Sequence, residues 1–224
     1  MPSVFITRQL EADSPFYSIL KSEGFDVHGT SFIHFTVVPF TKIPVADYFF
    51  FYSKTGVRYF FEHLREMGWG TPTPMRWAAM GNGTAKMLTQ YQITPNFIGN
   101  GKPTQVAASF LATAKNLQVC FVRAEQSKNS IQRLIQDQVA TTDLIVYRNE
   151  PKRVKEVPVV DYIVFTSPMN VAAFFEQGHT TEAVIVAIGN TTATALKRYT
   201  AQEILLPEEA SESSLAKAIL SYCK

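Results

Sequence analysis

The chain contains a long internal repeat, which limits how it can fold. Residues 47–53 (DYFFFYS) recur as residues 161–167 (DYIVFTS), and an FFE tripeptide follows both at the same distance. Residues 81–85 (GNGTA) recur as residues 189–193 (GNTTA), again with a leucine and a tyrosine at matched positions downstream. Solenoid repeats have periods of about 20–50 residues, so this longer unit is a copied half of the protein. It predicts two similar lobes, each with its own core, and a cleft between them.

The composition is that of an ordinary soluble globular protein. The hydrophobic fraction is 46% and the formal net charge is +2, with no block of like charges, so no nucleic-acid partner is expected. No apolar stretch approaches the length of about 18 residues that spans a membrane, and the N-terminus lacks a signal-peptide pattern. The two cysteines, Cys120 and Cys223, do not suggest a disulfide framework. We therefore expect a cytoplasmic protein with no membrane partner.

Short apolar runs alternate with amphipathic segments of helical period, which is typical of an α/β fold with parallel sheets. Strands are expected at residues 4–7, 47–52, 77–80, 97–98, 118–122, 162–165, 184–188 and 204–206. Helices are expected to begin at Ser14-Pro15 and near residues 55, 84, 104, 130, 170, 192 and 213.

Two β-rich segments, residues 32–40 and 139–153, interrupt this alternation just before the two copies. The second copy lacks a leading βα unit of its own, which the N-terminal segment can supply. The predicted domains are a discontinuous lobe of residues 1–36 plus 150–224 and a second lobe of residues 37–149. The chain would cross between the lobes twice, and the two crossings could pair as a two-stranded β connector.

The repeated turns follow strands, where open α/β sheets bind their ligands. Ser53-Lys54 and Ser167 each follow one strand, and the two GNxT segments each join the next strand to a helix. Glycine allows close backbone approach, and Asn, Thr and free helix N–H groups donate to anions. We therefore predict anion-binding turns in both lobes. The alternative is ordinary N-capping by Ser, Thr and Asn, which these helices need in any case.

Motifs for other chemistries are absent from the sequence. There is no G-x-G-x-x-G after the first strand, no Walker sequence and no G-x-S-x-G elbow. The four histidines lack metal-ligand spacing to each other or to cysteine, so no metal site is predicted. His63 falls on the flank of a predicted helix and is expected to be exposed.

Tyr147 lies just before the second crossing segment, which would direct it toward the gap between the lobes. A phenol with a pKa of about 10 can donate a proton but is a poor base at neutral pH. The alternative is a tyrosine that only packs at the hinge.

Taken in order, these segments resemble the uroporphyrinogen-III synthase (HemD) family. The resemblance rests on residues 5–8 (FITR), 164–168 (VFTSP) and 188–196 (IGNTTATAL), on Tyr147, and on a closing helix after Pro207. It covers almost the whole chain. It implies an α/β fold of two similar HemD-type, flavodoxin-like parallel-sheet lobes joined by a two-stranded β connector.

The resemblance also implies an activity. The family converts hydroxymethylbilane, a linear tetrapyrrole, into uroporphyrinogen III with loss of water and inversion of the terminal pyrrole ring. The protein would be a hydro-lyase of tetrapyrrole and haem biosynthesis that uses no cofactor and no metal. Its partner would be this small-molecule substrate, and it would act as a monomer.

The resemblance assigns roles to individual residues. Tyr147 aligns with the family tyrosine proposed to assist departure of the hydroxyl group, so it is the predicted catalytic residue. The residues predicted to bind the carboxylate-rich substrate are Arg8, Ser53, Lys54, Asn82, Gly83, Thr84, Arg123, Ser167, Asn190, Thr191 and Thr192. The chain departs from the family pattern at Gly83, where the second copy has Thr191, and at residues 52–55 (YSKT), where Thr-Ser-x-Asn is more usual.

Two other classes of function remain open at this point. One is a two-lobed protein that closes on a small anion without chemistry, and the other is a regulatory HemD-like protein without catalysis. An assay for turnover separates the enzyme from both.

Overall fold

The structure is a computed structural model, and it describes residues 1–223. The strands of this part of the chain are β1 (Ser3–Ile6), β2 (Asp26–Gly29), β3 (Ile33–Val37), β4 (Tyr48–Phe51), β5 (Arg76–Ala79), β6 (Phe97–Ile98), β7 (Gln118–Ala124), β8 (Ala140–Pro151), β9 (Tyr162–Phe165), β10 (Val184–Ala187) and β11 (Ile204–Leu205). The helices are α1 (Pro15–Ser22), α2 (Lys54–Glu66), α3 (Asn82–Gln90), α4 (Pro103–Ala114), α5 (Gln132–Ile135), α6 (Pro168–Glu176), α7 (Asn190–Leu196) and α8 (Glu212–Tyr222).

The chain divides into two compact units. Unit 1 combines Met1–His34 with the chain from Glu150 onward, and unit 2 is Phe35–Asn149. One sheet has five strands in the order β11-β10-β9-β1-β2, and the other has six in the order β3-β8-β7-β4-β5-β6. Within β1, β2 and β9–β11, and within β4–β8, neighbouring strands pair in parallel. The predicted fold class, α/β with parallel sheets, is confirmed.

The two units share one spatial order of strands, but the chain begins at a different strand of that order in each unit. Counted along unit 1, the order of the strands is 2-1-3-4-5, which is that of flavodoxin-like sheets. Unit 2 has the same order if β7 and β8 take the positions of β1 and β2. The registers agree, since Val4 pairs with Tyr162 as Val119 pairs with Tyr48. Unit 2 is therefore a circular permutation of the unit 1 topology.

The aspartate that opens each copy of the repeat has a structural role. Asp47 Oδ2 accepts a hydrogen bond from the backbone N–H of Gln118 at 2.8 Å. Asp161 Oδ2 accepts the corresponding bond from the N–H of Ser3 at 2.7 Å. Both bonds fasten the beginning of one strand to its neighbour, so the fold accounts for this repeated residue.

The central strands are buried on both faces, which is why they read as continuous apolar runs. Along β4, Phe49 and Phe51 join a core cluster that includes α2, whereas Tyr48 and Phe50 join a cluster that includes α4. Unit 1 likewise has one cluster on each face of its sheet.

Helix α2 follows the expected helical pattern. Ser53 is its N-cap, and the predicted apolar face of Val57, Phe60, Phe61 and Leu64 is buried. The cap fixes the first turn, and the apolar face fixes which side of the helix meets the sheet. The opposite side of the first two turns is thereby left to solvent.

Two expectations from the sequence are wrong. The edge strand β2 lies where no strand was predicted, because Asp26 and His28 break any apolar run. His63 is not exposed, since only 7% of its surface is accessible. Its Nε2 lies 2.9 Å from the carbonyl oxygen of Phe40, and the two rings are 4.4 Å apart. The segment before β4 covers this histidine, a contact that helix periodicity does not reveal.

Strands β3 and β8 are neighbours, and each runs from one unit into the other. The N–H of Val38 donates to the carbonyl of Val146 at 3.0 Å, and the N–H of Lys152 donates to the carbonyl of Phe32 at 2.7 Å. Residue numbers rise on one strand as they fall equally on the other, so the pair is antiparallel. Phe35 and Thr36, which the predicted boundaries gave to the first lobe, group with unit 2.

Candidate functional site

Ser53 and Tyr147 meet at the N-terminus of α2, at the carboxyl edge of the unit 2 sheet. The Ser53 hydroxyl oxygen accepts a hydrogen bond from the N–H of Gly56 at 3.0 Å and so caps the helix. The same oxygen lies 3.0 Å from the Tyr147 hydroxyl, and either group can be the donor. A predicted binding residue and the predicted acid therefore form one hydrogen-bonded pair.

Tyr147 is held on several sides. Only 7% of its surface is exposed. Its ring stacks on Tyr59 with centroids 5.7 Å apart and an interplanar angle of 17°, and it meets the edge of Phe35 at 5.8 Å. The hydroxyl of Tyr59 donates to the carbonyl of Phe35 at 3.0 Å, which fixes this small aromatic cluster. Tyr147 thus has the packing role considered as the alternative, and it also points its phenol at Ser53.

The environment of Tyr147 suits a proton donor. Burial raises the pKa of the phenol, and the hydrogen bond with Ser53 offsets only part of that effect. The phenol therefore stays protonated at neutral pH and cannot serve as a base there. Bulk water has a pKa of about 15.7, so even a weakened phenol is acidic enough to protonate a departing hydroxide.

Lys54 lies across the beginning of α3. The N-cap of this helix is Gly81, which offers no side-chain cap, and Asn82 is the first helical residue. A methyl group added at Gly83 would come within 2.8 Å of Lys54 Cε and 3.7 Å of Lys54 Nζ. Lys54, Asn82 and Gly83 are therefore brought together, and the ammonium group lies beside the open first turn of α3.

The two copies of the repeat differ together at this place. In unit 1 the residue after the capping serine is Pro168 instead of lysine, and the position matching Gly83 is Thr191. Proline has no long side chain to cross the next helix, so threonine fits there. The glycine of the first copy makes room for Lys54, which explains this departure from the family pattern.

The corresponding turns of unit 1 contain the same caps. The Ser167 hydroxyl accepts from the backbone N–H of Asn170 at 3.1 Å and from its side-chain amide at 3.0 Å. Asn190 and Thr191 are exposed at the beginning of α7, after the N-cap Gly189. The N-capping alternative thus holds for both serines, while Asn190 and Thr191 remain accessible to a ligand.

Thr84 and Thr192 are poorly placed for ligand binding. Their exposed fractions are 6% and 2%, and their backbone N–H groups donate to Gly81 and Gly189 within the first helical turn. Threonine at this position packs into the unit and does not reach solvent. The sequence pattern could not separate this buried threonine from its exposed neighbours.

Arg8 and Arg123 occupy equivalent positions of the two sheets, as the strand registers show. Each already has a carboxylate partner at 2.7 Å, Glu212 for Arg8 and Asp143 for Arg123. Arg123 is 8% exposed and also donates to the carbonyls that follow it, so its guanidinium is committed inside the unit. The structure therefore disfavours Arg123 as a substrate ligand, whereas Arg8 keeps 42% of its side chain exposed.

The sequence reasoning missed Arg58 and Tyr59. Arg58 is exposed, and its Cζ lies 5.0 Å from the centroid of the Tyr59 ring, the ring that stacks on Tyr147. The available signal was the spacing of four between Lys54 and Arg58, which places both cations on one face of α2.

Within residues 1–223, no helix is long and apolar enough to cross a membrane. The same residues contain no group of three or more His, Cys, Asp or Glu side chains that could hold a metal ion. Both cysteines are free, and burial raises the pKa of the Cys120 thiol to about 12.

Comparison with protein families gives one match that covers most of the chain. Residues 17–217 match the family described as uroporphyrinogen-III synthase HemD. A curated relative, uroporphyrinogen-III synthase of Chlorobaculum parvum (strain DSM 263 / NCIMB 8327), is 27% identical over 258 residues, which cover all of both chains.

Solved structures share the fold. The uroporphyrinogen-III synthetase of Helicobacter pylori 26695 superposes with a TM-score of 0.77 at 18% identity, over 99% of this chain and 100% of that one. A mutant uroporphyrinogen III synthase of the extremely thermophilic bacterium Thermus thermophilus superposes with a TM-score of 0.65 at 17% identity, over 100% of this chain and 99% of that one.

Proposed function

Because the chain belongs to the uroporphyrinogen-III synthase (HemD) family, we propose that it cyclises hydroxymethylbilane to uroporphyrinogen III. The reaction removes water, inverts the terminal pyrrole ring and closes the macrocycle. It is a lyase reaction of tetrapyrrole biosynthesis. The observation that carries the proposal for this chain is the buried phenol of Tyr147, whose hydroxyl lies 3.0 Å from that of Ser53.

Tyr147 would act on the leaving group. The carbon–oxygen bond of the hydroxymethyl group breaks as the adjacent pyrrole supplies electrons, and the hydroxyl takes the Tyr147 proton and leaves as water. The cation that remains faces a tyrosinate, and the attraction between them is strong where water is excluded. The terminal ring attacks this cation through its substituted α-carbon, which forms a spiro intermediate. The bond from that carbon to its own methylene bridge then breaks and leaves a second cation at the bridge. The free α-carbon of the inverted ring bonds to the bridge, and the proton lost from that carbon restores the phenol. The sequence is redox-neutral, so it requires no redox cofactor.

Ser53 would keep the phenol in place. Its oxygen is fixed by the Gly56 N–H, so the Tyr147 hydroxyl has a partner that does not rotate away. The same hydroxyl can return a hydrogen bond to the tyrosinate after proton transfer. Such a preorganised donor stabilises developing charge without reorganisation.

The substrate carries many carboxylates, and the accessible polar groups near the two sets of turns would bind them. In unit 2 these groups are Lys54, Asn82 and Gly83, where an ammonium lies beside an open helix N-terminus. The corresponding accessible groups of unit 1 are Ser167, Asn190 and Thr191. We leave Thr84, Thr192 and Arg123 out of this set because they are buried, and we keep Arg8 as a weaker candidate because Glu212 competes for it.

Positioning would decide the product. Hydroxymethylbilane can close without enzyme to the isomer in which the terminal ring is not inverted. The protein must therefore hold that ring so that only the inverting route is open, and fixed carboxylates are a means of doing so. Lys54 and the α3 turn would orient one end of the chain beside the acid.

We further propose that the protein works as a cytoplasmic monomer. The two free cysteines fit a reducing compartment. Sedimentation velocity at catalytic concentration tests the oligomeric state, and a dimer would contradict this part of the proposal.

An isomer assay tests the activity. Hydroxymethylbilane is supplied with and without the purified protein, and the oxidised products are separated by chromatography. We expect type III uroporphyrin with the protein and type I without it. Type I alone in both samples would remove the proposed activity. Tight binding of the substrate without turnover would instead indicate a binding protein.

A further inference from the structure

A second exposed cation lies one turn beyond Lys54 on α2. Residues four apart on a helix are neighbours on its surface, so Lys54 and Arg58 share one face. The helix has no acidic residue in its first turn. Cations near a helix N-terminus oppose the helix dipole, and like charges at this spacing repel each other. The arrangement does not help the helix to form.

Within residues 1–223, no carboxylate lies within 4.0 Å of Lys54 Nζ or of the Arg58 guanidinium. This includes Glu62, one turn further along α2, which forms no ion pair with Arg58. Two other arginines of unit 2 do have carboxylates, Arg123 at 2.7 Å and Arg148, which follows Tyr147, at 3.9 Å. A locally unfavourable pair of like charges without a carboxylate partner indicates a functional position.

The Arg58 guanidinium is held over an aromatic ring. Its Cζ lies 5.0 Å from the centroid of Tyr59, and Tyr59 stacks on Tyr147. A guanidinium that lies on a ring keeps its N–H edges free, and those edges match a carboxylate bidentately. Tyr59 is itself fixed by the bond from its hydroxyl to Phe35 at 3.0 Å. One rigid tyrosine therefore contacts both the cation and the proposed acid.

We infer that Arg58 binds a carboxylate of the linear tetrapyrrole next to Tyr147, and that with Lys54 it fixes the ring that carries the leaving hydroxyl. This inference rests on the proposed function and adds a substrate-binding residue to it. The ligand is a carboxylate-bearing pyrrole, since a flat bidentate donor and a point charge on one helix face suit the two acidic side chains of such a ring.

Arg58→Gln removes the charge and is tested by steady-state kinetics with hydroxymethylbilane, after subtraction of spontaneous closure. Loss of a charged hydrogen bond corresponds to an increase in KM of about tenfold to a hundredfold. The value of kcat should change less, because the phenol is retained. Arg58→Lys should give an intermediate KM, since it keeps the charge but loses the bidentate geometry.

Arg76 supplies a matched control in the same unit. It is exposed and is the first residue of β5, so it lies at the amino ends of the strands, away from the carboxyl ends where Ser53 and Tyr147 meet. Its Cζ lies 5.5 Å from the Tyr48 ring centroid. Arg76→Gln removes the same charge and the same kind of ring contact, so its KM should match that of the wild type. Thermal unfolding confirms that both variants fold.

The outcomes separate the two claims. If the wild-type enzyme yields type III product but Arg58→Gln has the same kinetics as Arg76→Gln, the role of Arg58 alone is overturned. Wild-type protein that yields only type I product overturns the proposed function, and the role of Arg58 with it. A rise in KM for Arg58→Gln alone, with the type III product retained, supports both.

Discussion

The hydroxyl groups of Ser53 and Tyr147 lie 3.0 Å apart, and the serine oxygen also caps α2 through the N–H of Gly56. One atom thus belongs both to the fold and to the candidate site. The consequence is that substitutions here affect stability and turnover together, so each test needs a variant that isolates one effect.

Tyr147→Phe removes the phenol and keeps the ring that packs on Tyr59 and Phe35. We expect kcat to fall about a hundredfold, which is the lower end of the range of rate losses seen when a general acid is removed. The free energy of unfolding should fall by only about 1 kcal/mol, because one hydrogen bond is lost and no cavity forms. Rapid kinetics and urea denaturation measure the two quantities. An unchanged kcat would reduce Tyr147 to a packing residue.

Ser53→Ala removes the cap of α2 and the partner of Tyr147. The cap is worth about 1 kcal/mol of stability, and kcat should fall because the phenol is no longer held. Ser211→Ala is the control, since Ser211 caps α8 by accepting from the N–H of Ser214 at 3.2 Å and its hydroxyl otherwise bonds to Ser213. We expect Ser53→Ala to lose about 1 kcal/mol more stability than Ser211→Ala, because the buried Tyr147 hydroxyl also loses its partner, and we expect a loss of kcat from Ser53→Ala only. Equal kcat values in the two variants would contradict a positioning role for Ser53.

The sequence was sufficient to predict the central strands and most helix starts, because these depend on local signals. The apolar run of β4 and the cap Ser53 are local, as are Ser14 and Pro15 at the beginning of α1. Strand β2 was missed because an edge strand with two polar residues in four lacks such a signal. The fold class is thus predictable from pattern, but short edges are not.

The sequence was enough to propose the turns of the candidate site, but not to tell which of their side chains are accessible. The repeat pointed to these turns, yet it could not tell that Thr84 is buried or that Asp143 already pairs with Arg123. Both facts depend on contacts between strands and helices far apart in the sequence. Arg58 was missed for a related reason, since its proposed role rests on the stack of Tyr59 on Tyr147.

Gly83→Ala should disturb Lys54 without touching Tyr147. The added methyl would lie 2.8 Å from Lys54 Cε, so the lysine must leave its place beside α3. We expect KM to rise severalfold while kcat is retained. In a Lys54→Ala background the methyl has nothing to displace, so Gly83→Ala should then have no further effect. A double-mutant cycle in KM measures this coupling, and additive effects would contradict it.

The pH dependence follows from the raised pKa of Tyr147. The protonated phenol is the form that is active and the form that the folded state favours. Activity and the contribution of this residue to stability should therefore be constant below pH of about 10 and fall as pH rises through the higher pKa of the folded state. Urea denaturation at several alkaline pH values, for wild type and Tyr147→Phe, measures the stability effect. A decline of equal size in both proteins would assign it to another group.

Asp143→Asn tests whether Arg123 has a structural role. Arg123 Nη2 lies 2.7 Å from Asp143 Oδ2, and 10% of the arginine side chain and 31% of the aspartate side chain are exposed. Its removal leaves a buried guanidinium without its anion, which should cost about 2–4 kcal/mol after allowance for the exposed aspartate. Glu212→Gln, at the equivalent and more open pair with Arg8, should cost about 1 kcal/mol or less. We expect KM in Asp143→Asn to stay near that of the wild type, because Arg123 remains beneath the surface. A large fall in KM would mean that the freed Arg123 reaches the substrate, and it would restore Arg123 to the binding set.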